Sequence, residues 1–78
     1  MNKDKNRYIN DRWEIGNRIR KYREQRGYAR FDLAEALNLK DERSIYYYEM
    51  GEKLPSLDKF RIICEFLDIS LDDLLANG

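Results

Sequence analysis

The stretch RFDLAEALNLKDERSIYYYEMG, residues 30–51, decides the fold. Leu33, Ala34 and Leu37 recur at the intervals that bring side chains onto one helical face. A short helix over residues 30–37 follows, with Asp32 in its first turn, where a carboxylate suits the positive end of the backbone dipole. Ala29 stands at the cap position and offers no side-chain acceptor, a loss of about 1 kcal/mol relative to serine. Asn38 breaks the run, and Leu39 points back to the core. Asp41 can cap a further helix on which Ile45 and Tyr48 share a face. Gly51 suits its C-terminus, and Pro55 closes the next loop.

The flanks extend this pattern. Upstream, Asp11 and Glu14 have capping-box spacing, and Ile15, Ile19, Tyr22 and Arg26 carry a helical stripe that Gly27 ends. Downstream, a helix after Ser56 is expected to bury Leu57, Phe60, Ile63, Cys64 and Leu67. Ser70 with Asp73 repeats the capping signal for a last short helix bearing Leu71, Leu74 and Leu75. Residues 1–10 are polar and basic and read as a flexible arm; residues 11–76 read as one domain. No strand pattern, repeat or linker occurs. The chain is expected to be all-α, five helices around one core.

Composition narrows the function. With 78 residues, 42% of them hydrophobic and 38% charged, the chain fits one small globular domain with a charged surface. A single cysteine excludes an internal disulfide, and the lack of histidine removes the commonest general base and zinc ligand. No metal, cofactor or small-molecule ligand is expected. No apolar run nears the roughly 20 residues needed to span a bilayer, so no membrane role is expected either. These features fit a cytoplasmic binding module, not an enzyme. The net charge of zero conceals a division: residues 1–30 hold ten Lys/Arg against four Asp/Glu, and residues 31–78 hold five against eleven. A basic half can meet a phosphate backbone that would repel the acidic half.

The order and spacing of IGNRIRKYREQRGYARFDLAEALNL…SIYYYEMGEKLPSLDKFRIICEFLDISLDDLL, residues 15–75, resemble a Cro/cI-type (XRE-type) helix-turn-helix domain. The resemblance implies a compact, lambda-repressor-like five-helix bundle and a transcriptional regulator of bacterial or phage type. In such a fold one helix braces across the phosphate backbone while the next enters the major groove. A homodimer would set two such helices about 34 Å apart on double-stranded DNA. By position, the resemblance implies a buried structural ion pair of Arg23 with Glu49. It places Arg30 and Lys53 at phosphates, with Ser44 and Lys40 beside them, and the arm's Lys3, Lys5 and Arg7 as further phosphate contacts. Glu42, Arg43, Tyr46 and Tyr47 would face the bases, Arg43 foremost, because a guanidinium can bind guanine O6 and N7 in bidentate fashion.

The sequence departs from that pattern around the third helix. Leu39 to Ile45 is one residue longer than the usual turn, which bears on which side chains face the bases. Asp41 and Glu42 put two carboxylates where the groove face normally begins; Asp41 reads best as a helix cap. Tyr48 takes a core position, whereas Tyr46 and Tyr47 suit base readout, a protein-binding surface or a shield for the core edge. Cys64 reads as a buried small hydrophobe, and Trp13 as a cover for the start of the first helix. Ile62 and Phe66, off the main stripe of their helix, could join Leu75 in a dimer surface. A rival reading keeps the fold but makes it an antitoxin- or antirepressor-like protein-interaction module with weak or no DNA binding.

Overall fold

The computed structural model describes residues 11–76, so the basic arm, with Lys3, Lys5 and Arg7, lies outside the described residues. Five helices form: α1 (Arg12–Gln25), α2 (Arg30–Ala36), α3 (Arg43–Glu49), α4 (Leu57–Leu67) and α5 (Leu71–Leu75). Their starts are set locally. Asp11 accepts from the amides of Trp13 at 2.9 Å and Glu14 at 3.4 Å. Ser70 and Asp73 cap α5 reciprocally, at 3.1 and 2.8 Å. At α2, where Ala29 has no acceptor to offer, the Asp32 carboxylate instead accepts from the Ala29 amide at 2.8 Å.

One stripe from each helix meets at the centre. Ile19, Leu33, Ile45, Ile63, Leu67 and Leu74 are all fully buried. Burying each such side chain is worth about 1.5–3 kcal/mol against leaving it in water. Tyr48 and Cys64 join the same core, and the protein environment raises the Cys64 thiol above its ordinary pKa, chiefly by desolvation.

Two glycines let α1 and α3 approach. A Cβ on Gly16 would sit 2.5 Å from the Glu49 carbonyl oxygen, so the α1 backbone rests directly on the end of α3. Gly51, at φ +77°, reverses the chain after α3, and a Cβ there would lie 2.9 Å from the Trp13 backbone.

Arginines from α1 and its C-cap close the other helices. Arg26, expected on the α1 stripe, lies at the surface instead and donates through Nε to the Leu67 carbonyl at 2.6 Å. Its Nη2 reaches the Asp68 carbonyl at 3.3 Å. Arg18 donates to the Ala76 carbonyl at 2.8 Å, closing α5. Each puts a cation at the negative end of a helix dipole.

Leu57 departs from expectation: it is 74% exposed. It occupies the first position of α4, and Pro55, two residues before it, is buried. Trp13 likewise remains half exposed. Ile62, Phe66 and Leu75 pack part-buried against the core, and the Phe66 ring lies 4.4 Å from that of Tyr28.

Candidate nucleic-acid interface

The turn between α2 and α3 carries Asn38 at φ +58°, a left-handed conformation that asparagine tolerates, and the Leu39 amide returns to the Ala34 carbonyl at 2.9 Å. Helix α3 then begins only at Arg43, so residues 40–42 belong to the turn. Ile45, Tyr48 and Glu49 face inward. Arg43 and Tyr46 are exposed, with Tyr47 and Ser44 half-buried beside them.

One buried carboxylate holds the three helices in register. Glu49 accepts from Arg23 Nε at 2.6 Å and Arg23 Nη2 at 3.2 Å, a two-point pairing between α3 and α1. Arg23 Nη1 donates to the Tyr28 carbonyl at 2.7 Å. The same carboxylate also accepts from Arg30 Nε at 3.0 Å, which brings in α2. The resemblance pairs Glu49 with Arg23 and places Arg30 at a phosphate, without joining Arg30 to Glu49. No local pattern joins residues 30 and 49; only the packing of α2 on α3 does.

Beyond the carboxylate, four side chains touch in a row. Arg30 Cζ lies 5.3 Å from the Tyr46 ring centroid, the Tyr46 and Tyr47 rings meet edge-on at 5.9 Å, and Lys53 Nζ lies 5.7 Å from the Tyr47 ring. Two cations thus bracket an aromatic pair on the outer side of the α2–α3 unit. Phe31, which sequence reasoning passed over, is 56% exposed next to Arg30; its position off the Leu33–Ala34–Leu37 face was the available signal.

Arg43, one helical turn before Tyr47, pairs with Asp41. Its amide donates to Asp41 Oδ1 at 2.8 Å and its Nη2 to Asp41 Oδ2 at 3.2 Å. The Arg43 amide and then its guanidinium hold the Asp41 carboxyl below its ordinary range, and the pairing raises the guanidinium in turn. The cap position of α3 falls to Glu42, whose side chain makes no cap hydrogen bond, and Asp41, one residue earlier, accepts from the first helical amide in its place. Lys40, Glu42 and Ser44 make no side-chain hydrogen bond or ion pair among the described residues.

A family model described as helix-turn-helix, HTH_3, matches residues 19–74. The chain belongs to that family, of the XRE type. Solved structures share the helix-turn-helix architecture. The restriction-modification controller protein C.AhdI from Aeromonas hydrophila superposes with a TM-score of 0.75 at 27% identity, over 85% of this chain and 98% of that one. The clp gene regulator ClgR from C. glutamicum gives 0.73 at 27% identity, over 81% and 80%. A hypothetical transcription factor, NHTF from Neisseria, gives 0.76 over 88% and 78%; at 19% identity that likeness speaks to the fold alone. No curated protein sequence matches the chain. Within this helix-turn-helix domain no helix of the described residues is long and apolar enough to cross a membrane.

Proposed function

We propose that the chain is a sequence-specific DNA-binding transcriptional regulator, non-enzymatic and cytoplasmic, with α3 in the major groove and α2 braced on the backbone. Family membership and the regulators it resembles support the DNA-binding reading. The observation that carries the site is the row Arg30–Tyr46–Tyr47–Lys53: cations at both ends suit phosphates, and the rings between them suit base edges and thymine methyls. Arg43 supplies the base contact, with Glu42 beside it; Ser44 and Lys40 flank the phosphates.

The functional unit is a homodimer. The most exposed apolar side chains of the α4–α5 region are Leu57 and Leu71, which line one groove with Ile69 and Cys64. Asp58, Arg61, Glu65 and Asp68 stand on its walls, and Arg61 already lies 3.9 Å from Asp58 and 3.8 Å from Glu65 of its own chain, so the apolar Leu57 and Leu71 carry the two-fold contact. Ile62, Phe66 and Leu75, the other candidates for the dimer surface, pack part-buried against the chain's own core and are less exposed than Leu57.

Selection of duplexes from a random pool, followed by binding across a salt series, tests the reading. A recovered palindrome whose affinity falls steeply with salt supports a dimeric DNA reader. No enrichment, with feeble binding even at low salt, would favour the protein-interaction module, for which the exposed Phe31 and Tyr46 would be the contact surface. Sedimentation of Leu57→Asp separates the dimer claim: it should be monomeric where the wild type is not.

A further inference from the structure

We infer that Glu49 is a positioning residue for DNA: its buried carboxylate, with the Tyr46 ring, pins the Arg30 guanidinium as a preformed seat for one backbone phosphate. The inference rests on the DNA-binding reading above and deepens it. One carboxylate, its side chain wholly buried, is shared by two guanidiniums, and Arg23 has a second, more distant carboxylate in the exposed Glu24 at 3.8 Å. Arg30 has no carboxylate besides Glu49 among the described residues. The buried Arg23 has all three nitrogens placed, on Glu49 and on the Tyr28 carbonyl. Arg30 spends only Nε, and its Nη1 and Nη2 meet no acceptor among the described residues.

Geometry then favours a phosphate. The Arg30 side chain is 35% exposed, so its two outer nitrogens are open to a ligand while its root is held. Glu49 fixes one edge of the guanidinium at 3.0 Å, and the Tyr46 ring covers it at 5.3 Å. Tyr46 precedes Glu49 by three residues, so both restraints come from one face of α3. A planar fork held at its base matches two phosphate oxygens, and its rotamer freedom is spent during folding, not during binding. A lysine is a poorer replacement, because its single nitrogen has no planar fork to be clamped at one edge while two parallel donors meet the phosphate.

The competing possibility is that Arg30 merely braces Glu49. Full-length Arg30→Ala, Arg30→Lys and Glu49→Gln separate the two when titrated against the selected duplex and a scrambled one across a salt series, with melting recorded in parallel. Arg30→Ala should lower the slope of log K against log salt by about 0.9, the loss of one phosphate contact. Arg30→Lys should keep the slope yet bind both duplexes about tenfold more weakly. Glu49→Gln, at temperatures where circular dichroism shows it folded, should weaken both duplexes in the same way; should it fail to fold, Arg30→Lys decides. Wild-type affinity in Arg30→Lys, or an unchanged slope in Arg30→Ala with a lowered melting temperature, overturns the inference. If the wild type binds neither duplex, the DNA-binding reading itself falls and takes this inference with it.

Discussion

Replacing Gly16 with alanine sets two effects of opposite sign against each other. Alanine is the better helix former by about 1 kcal/mol, and α1 is an ordinary helix at that point, so local propensity alone calls for stabilisation. The structure calls for the reverse. The new methyl would lie 2.5 Å from the Glu49 carbonyl oxygen, 2.8 Å from its carbonyl carbon and closer still to the Tyr48 carbonyl oxygen. Ordinary Cβ contacts begin at 3.4 Å, so α1 must retreat by roughly 1 Å. The obstructing atoms are backbone and cannot rotate aside. Overpacking of this kind costs about 1–3 kcal/mol, and the upper end applies where nothing yields. Net of the propensity gain, Gly16→Ala should lose about 2 kcal/mol, which lowers the melting temperature by roughly 8–16 °C in a domain of this size. Thermal melts by circular dichroism, with a urea titration beside them, give the answer. A variant melting at or above the wild type would refute the close seating of α1 on α3.

Three further outcomes follow from the site and the core. Glu49→Gln leaves the buried Arg23 guanidinium beside a neutral amide and should cost about 3–5 kcal/mol, read from urea midpoints. Asp41→Asn keeps an acceptor for the Arg43 amide but loses the ion pair; folding should hold while discrimination at the base read by Arg43 weakens, and unchanged preference in a selection would count against that role. Burial holds the folded Cys64 thiol above its unfolded pKa, so the stability it contributes is complete below the unfolded value and is lost as pH rises through the folded one. Iodoacetamide at pH 8 should therefore label the native thiol far more slowly than the urea-unfolded one, and equal rates would mean the side chain is not enclosed.

How far the site was legible follows from the range of the forces involved. Asp11, Ser56 and Ser70 act on amides two or three residues away, which is why the starts of α1, α4 and α5 could be read along the chain. Arg30 and Lys53 were recognisable as cations in suitable places, but their partners were not. The Asp41–Arg43 pair spans only two residues, yet a cap and a guanidinium clamp share one sequence signature.

Five helices, their order and the greater part of the buried stripe are legible along the chain, because capping and 3.6-residue periodicity operate within a few residues. Tertiary structure decided the rest. It left Leu57 exposed at the first position of α4, and it turned Arg18 and Arg26 into caps for carbonyls 58 and 41 residues away. It also made Glu49 the shared partner of Arg23 and Arg30, 26 and 19 residues distant. Those contacts exist only once α1, α2 and α3 have packed, since no local spacing specifies which guanidinium a buried carboxylate will meet.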